Sequence, residues 1–217
     1  MTNKDKIGRI FDNSLISPAA GAALSFVSGP LGGVLSSLMN TVVAERQQER
    51  VDRTFLAIKT DLANLTHQVE TLTEPQLKLV METIRTVTET MNEEKLEYLI
   101  NAVSNCVEKG CPSDYEAAVL GRLIRDISGD EIRLLNQASS TANGILTANR
   151  IGPHQEGFMV IIVSVLQDYD QIQSLVNMRL LEENADDNLR KAGTPYKLTS
   201  WAHKLLALVE PRKKQKD

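Results

Sequence analysis

The chain has 217 residues, of which 42% are hydrophobic but only 4% are aromatic, so any folded core must consist mainly of aliphatic side chains. Its formal net charge of −4 excludes the overall positive field that draws a protein non-specifically to nucleic acid. Cys106 and Cys111 are its two cysteines, which is too few for a disulfide framework, and we interpret them as free cytosolic thiols.

The most unusual segment is an uncharged run over residues 13–44. It contains none of the chain's 24 Lys and Arg or 28 Asp and Glu residues, and it is longer than the roughly 20 helical residues that cross a hydrocarbon core. Gly29 and Pro30 divide the run, so a kinked span and a re-entrant hairpin both remain open. We predict that residues 1–44 form a membrane or oligomerisation segment.

Small side chains recur every fourth residue in this run and would form one stripe along a helix. Such a stripe allows two membrane helices to approach closely. The predicted seam comprises Gly21, Ser25, Gly29, Gly33 and Ser37. Phe26 is the single aromatic residue of the run. A ring of Phe26 side chains would plug a pore by excluding water; the alternative is a Phe26 that faces lipid or a neighbouring side chain.

The uncharged run has two other interpretations. Small-residue seams also occur in soluble bundles, so the run is alternatively the core helix of a soluble oligomer. A secretory signal peptide is disfavoured, because its apolar region spans only about 7–15 residues. The run also leads directly into a charged segment, with no loop that would mark a mature N-terminus.

From residue 45 onwards the pattern predicts helices. Apolar residues first alternate at spacings of four and three over three heptads, which is typical of a coiled coil or a long bundle helix. This stripe comprises Val51, Phe55, Ile58, Leu62, Leu65, Val69 and Leu72. Further amphipathic helices are predicted to start at Thr73, Asn92, Ser113 and Ser128, with Gly110 ending one of them. Met91 and Tyr115 are among the residues predicted to face inward. Residues 45–138 are therefore predicted to be a long helix and a helical bundle.

The remaining 79 residues begin with a predicted connector. Residues 139–157 are polar and contain Gly144, Gly152, Pro153 and Gly157, which predicts a domain boundary. Residues 158–166 have one polar side chain and are predicted to be a buried helix, followed by another helix over residues 172–181. Residues 193–199 are β-prone, and a last amphipathic helix and a basic tail follow them. The fold class predicted for the whole chain is all-α.

No catalytic constellation is present in the sequence. The three histidines, His67, His154 and His203, do not have the spacing of a metal site. A phosphate-binding loop and a nucleophile elbow are both absent. We therefore predict no catalytic residues, no metal and no cofactor.

Basic and aromatic residues mix near the C-terminus. Residues 179–217 contain nine basic and six acidic side chains. Tyr196 and Trp201 lie among Arg190, Lys191, Lys197 and Lys204, a combination suited to stacking a base beside a phosphate contact. The predicted ligand-binding set is Arg190, Lys191, Tyr196, Lys197 and Trp201. The alternatives are that Trp201 is a core residue and that the basic tail attracts anionic lipid.

Two stretches of the sequence resemble known proteins. Residues 196–206 (YKLTSWAHKLL) look like the closing strand and last helix of a winged-helix domain, and residues 189–193 (LRKAG) fit its wing. With the apolar N-terminus, the charged helix and residues 93–103 (EEKLEYLINAV), the order of parts resembles bacterial phage-defence proteins of the abortive-infection alpha type, including the membrane effector of the Hailong system. This resemblance implies a toxic membrane protein that is held inactive by a single-stranded oligonucleotide signal from a partner nucleotidyltransferase.

Two functions follow from these features. In the first, the chain is a homo-oligomeric, pore- or channel-forming effector in contact with lipid of the bacterial inner membrane. Its remainder is cytoplasmic, and residues 139–217 form a winged-helix-like regulatory domain. In the second, the chain is a soluble coiled-coil regulator whose winged helix binds nucleic acid.

Overall fold

A computed structural model of the chain describes residues 45–65, 68–69, 71–110, 112–148, 157–162, 166–185 and 193–211. These residues form helices α1 (Glu45–Asn64), α2 (Glu74–Glu89), α3 (Glu93–Glu108), α4 (Asp114–Asp126), α5 (Gly129–Ser139), α6 (Leu166–Asn177) and α7 (Ser200–Val209) and strands β1 (Gly144–Ala148), β2 (Phe158–Ile162), β3 (Leu181–Glu183) and β4 (Thr194–Leu198). The predicted helical character is confirmed, but the all-α prediction did not include the sheet. The uncharged run, with its seam and Phe26, lies outside the described residues.

The described residues divide into two compact units. The first unit consists of two segments, the chain up to Arg125 and the chain from Val209 onward. The second unit is the segment between them, Asp126–Leu208. The boundary predicted at residue 139 falls inside the second unit, at the last residue of α5. In the part of the chain that is described, no helix combines the length and the apolar character needed to cross a membrane.

Helix α1 buries its apolar stripe inside the first unit. Val51, Phe55, Ile58 and Leu62 are each at most 3% exposed, and α1 packs against α3 and α2 of the same chain. The helix ends at Asn64, before the last positions of the predicted heptad pattern. In the single chain, this stripe is therefore part of an intramolecular core.

Short-range polar contacts set the helix starts where the sequence predicts them. Side chains and backbone amides bond reciprocally within three pairs: Thr73 with Gln76, Ser113 with Glu116, and Ser128 with Glu131. Asn92 caps α3 by accepting a bond from the amide of Lys95, at 2.8 Å. Gly110 follows α3 with φ +57°, a left-handed conformation that suits glycine at a helix end.

Buried polar side chains also join the helices of the first unit. The Lys95 ammonium donates to the backbone oxygen of Arg125 at 2.8 Å, and the Gln76 amide donates to that of Cys106 at 3.0 Å. Both acceptors are backbone oxygens in the last turn of a helix, the part of a helix where carbonyls lack the usual amide donor four residues later.

Two inward-facing predictions in this unit are wrong. Met91 is 65% exposed and Tyr115 is 68% exposed. Met91 lies beyond the end of α2, where the helical periodicity no longer applies. Tyr115 lies in the first turn of α4, whose buried face is formed by Ala117, Leu120, Gly121, Leu123 and Ile124.

The second unit is built around a four-stranded sheet with the order β2-β1-β4-β3. Strand β1 is parallel to β2 and antiparallel to β4, and β3 is antiparallel to β4. Ile145 and Leu146 of β1 are buried, as are Ile172 and Leu175 of α6. Helix α5 packs against β1, β2 and β4, while α6 packs against β3.

The prediction of a buried helix over residues 158–166 is wrong. Phe158–Ile162 is strand β2, and α6 begins only at Leu166. A short apolar run suits a strand or a helix equally well by periodicity, and Phe, Val and Ile favour strands. Pairing with β1 selects the strand. That partner, β1, lies within the stretch that was predicted to be a polar connector.

Candidate ligand-binding surface of the second unit

Thr199 fixes the corner between β4 and α7. Its amide donates to the backbone oxygen of Leu180 at 3.1 Å, and its hydroxyl donates to that of Arg179 at 2.7 Å. The same hydroxyl oxygen accepts a bond from the amide of Ala202 at 3.3 Å, which caps the start of α7. These bonds attach the junction of β4 and α7 to the backbone just before β3.

Tyr196 lies in the core of the sheet and does not present its ring to solvent. It is 5% exposed, and its side chain hydrogen-bonds Gln173 of α6. Burial raises the pKa of the Tyr196 phenol above its ordinary value of 10.0, because a buried phenolate loses hydration. The side chain is neutral at physiological pH, and its role in this geometry is to hold α6 against β4.

Lys197 is exposed and carries an ion pair. Its ammonium lies 3.2 Å from the carboxylate of Glu182, which is its register partner across β3 and β4. Both side chains are about half exposed, so the pair contributes about 0.2–1 kcal/mol at most. A phosphate group that binds Lys197 would compete with Glu182 at little cost.

Trp201 and Lys204 form a cation–π pair on α7. The Lys204 ammonium lies 5.0 Å from the centre of the indole ring. Trp201 is partly buried, whereas Lys204 is exposed. An aromatic face beside an exposed cation provides stacking and phosphate contact in one place, which is how many proteins bind single-stranded nucleic acid.

The structure describes three of the five predicted ligand residues. Lys197 precedes Thr199 and Trp201 follows it, each by two residues, while Tyr196 is buried. Arg190, Lys191 and the basic tail over residues 212–216 are outside the described residues. Lys204 belongs to the same basic and aromatic segment but is not among the five predicted ligand residues, and its spacing of three from Trp201 places both on one helix face.

A groove of about 710 Å³ between α2 and α4 was also missed. Ion pairs cross it from Lys78 to Asp114 at 3.1 Å and from Glu82 to Arg125 at 3.2 Å. Hydrogen bonds to Asp114 and Glu74 raise the pKa of Lys78. The small residues Ala117, Ala118 and Gly121 line the groove, and their clustering on α4 is the sequence feature that could have indicated it.

The described residues contain no cluster of potential metal ligands. No group of three or more His, Cys, Asp or Glu side chains is placed there to hold a metal ion. Ser104 donates to Asp61 at 2.8 Å, which joins α3 to α1 in a buried setting. The Cys106 thiol is buried and lies 3.6 Å from the backbone oxygen of Gln76.

Comparison of the chain with protein-family models, with curated proteins and with solved structures found no match.

Proposed function

We propose that the chain is a homo-oligomeric effector that acts at the bacterial inner membrane, where its N-terminal segment forms a pore or channel. The observation that carries this proposal is the run of 32 uncharged residues, 13–44, that ends directly at Glu45, the first residue of α1. A run of this length and composition is rare in soluble proteins but suits a bilayer.

The packing of α1 supports a division of roles along the chain. Because the apolar stripe of α1 is buried within the first unit, α1 has its own intramolecular partners and need not enter the membrane. In this proposal, the uncharged run contacts the bilayer. The second unit binds the ligand or partner that controls the pore. Toxicity in antiphage abortive-infection defence is the role that the family resemblance implies for such an assembly.

Membrane fractionation tests this proposal. The full chain should sediment with inner membranes and resist an alkaline carbonate wash, whereas residues 45–217 should remain in the supernatant. Replacing Leu24 and Leu31 by Arg should release the full chain, because each Arg costs about 2.5–3.5 kcal/mol at the centre of a membrane helix. Leu24→Ala with Leu31→Ala is the matched control and should stay in the pellet. A full-length chain that is wholly soluble would favour the soluble regulator instead.

A second candidate function belongs to the second unit and has its own observation. The strands β1, β4 and β3 are neighbours in that order and antiparallel, with α6 leading into β3. This is the arrangement expected of a winged-helix domain, and it supports an interpretation in which the unit binds nucleic acid. One feature departs from that pattern, because β2 and not a helix lies between β1 and α6.

Oligonucleotide binding tests this second candidate. A fluorescent single-stranded oligonucleotide should bind the full chain at low salt, and the affinity should fall steeply as salt rises, because phosphate contacts release counterions. Trp201→Ala should raise the Kd about tenfold or more, since stacking contributes about 1–3 kcal/mol per base. Tyr115→Ala removes an exposed aromatic residue of the first unit and is the matched control. Equal Kd values for the two variants would exclude Trp201 as the stacking residue.

A further inference from the structure

The two edges of the sheet are protected to very different degrees. Edge strand β3 has three residues, and two of them are the exposed Glu182 and Glu183. A short, charged edge resists pairing with other strands. Edge strand β2, Phe158–Ile162, has five residues (FMVII) with neither charge nor proline. It lacks the features by which proteins usually block edge-to-edge association.

The outer edge of β2 is open among the described residues. Its inner edge pairs with β1 along the whole strand, from Gly144 opposite Phe158 to Ala148 opposite Ile162, and the sheet order places no described strand on the other side. Val160, at the middle of β2, is 37% exposed. An apolar edge of this kind presents a row of backbone donors and acceptors to an added strand.

We propose that the outer edge of β2 pairs antiparallel with β2 of a second copy of this chain. A twofold axis at Val160 places this residue opposite the partner's Val160 and places Met159 opposite the partner's Ile161. Each cross-strand pair is then apolar against apolar, which is the favourable kind of pairing. The result is one continuous sheet of eight strands, within the usual range of sheet sizes.

Charge favours a second copy paired in this way over other arrangements. Because β2 carries no charge, pairing with itself brings no like charges together. Pairing β2 of one copy with β3 of the next would set Glu182 and Glu183 against an apolar strand. It would also leave free edges and generate open fibres, whereas the twofold contact closes on itself. This contact would belong to the homo-oligomer of the proposed function, but its formation does not require a membrane.

Disulfide formation at the twofold axis tests the pairing in the full chain. Directly opposed residues of antiparallel strands have Cα atoms about 4.5–5.5 Å apart, a separation that suits a disulfide. In a Cys111→Ser background, Val160→Cys should give a covalent dimer on a non-reducing gel. Glu182→Cys, on the opposite edge strand, is the matched control and should stay monomeric under the same oxidation. Equally low yields from both variants would overturn the proposal.

Amide hydrogen exchange provides an independent measurement. Val160→Lys should place two ammonium groups side by side and expose β2, raising the exchange rate of the amides over residues 158–162 about tenfold or more relative to the wild type. Val160→Thr keeps the branched shape and should retain protection. Equal protection in the Lys and Thr variants, together with no covalent dimer from Val160→Cys, contradicts the pairing. Failure of the membrane proposal would appear in fractionation and would leave both of these measurements unchanged.

Discussion

Gly144→Ala should lower the free energy of unfolding of the second unit by about 3 kcal/mol or more, because strain and collision act together. Gly144 has φ +96°, a conformation that L side chains rarely adopt. An added Cβ would run into the backbone oxygen of Tyr196, at the point where β1 meets β4. Urea denaturation followed by circular dichroism measures the change.

Gly110→Ala is the matched control for this substitution. Gly110 also has a positive φ, +57°, but nothing lies within 4 Å of the Cβ that would be added. Its cost should therefore be the conformational strain alone, about 1–2 kcal/mol. The difference between the two variants isolates the collision with β4. Equal destabilisation would show that β1 and β4 do not approach each other as closely as the structure has them.

The helix boundaries of the first unit could be predicted because their causes are local. The capping box of Thr73 with Gln76 and that of Ser128 with Glu131 each depend on residues three apart, and such signals are readable in the sequence. Gly110 ends α3 for an equally local reason. Where an element is fixed by its neighbours along the chain, the sequence is sufficient.

The sheet could not be predicted in the same way, because its pairing is non-local. Ile145 of β1 lies opposite Tyr196, a residue 51 positions later in the chain. Residues 158–162 are apolar throughout and carry no periodicity that distinguishes a strand from a helix. Only the presence of β1 as a partner makes them β2.

The candidate site shows the same limit. Sequence placed Tyr196, Lys197 and Trp201 in one basic and aromatic segment. Tyr196 is nevertheless buried, and it hydrogen-bonds Gln173 of α6, a residue 23 positions earlier in the chain. Lys197 is exposed, and Trp201 is partly buried. The groove between α2 and α4 was missed because its walls come from helices separated by α3 in the chain.

Phe55→Ala should lower the free energy of unfolding of the first unit by about 3–5 kcal/mol, the usual cost of truncating a buried Phe. Phe55 is 3% exposed and belongs to the stripe that α1 packs against α3 and α2. Leu56→Ala is the matched control at the next position. Leu56 is 64% exposed, so its truncation should change stability by about 0.5 kcal/mol or less.

The reactivity of the Cys106 thiol decides whether this stripe is an intramolecular core or a seam between chains. Cys106 is buried within α3, so a thiol reagent reaches it only when the first unit opens. If Phe55 packs against helices of its own chain, Phe55→Ala in a Cys111→Ser background should speed the reaction about a hundredfold or more, in line with the lost stability. If Phe55 instead served a coiled coil between chains, its loss would separate the chains and leave α3 folded. The Cys106 rate would then match that of Leu56→Ala.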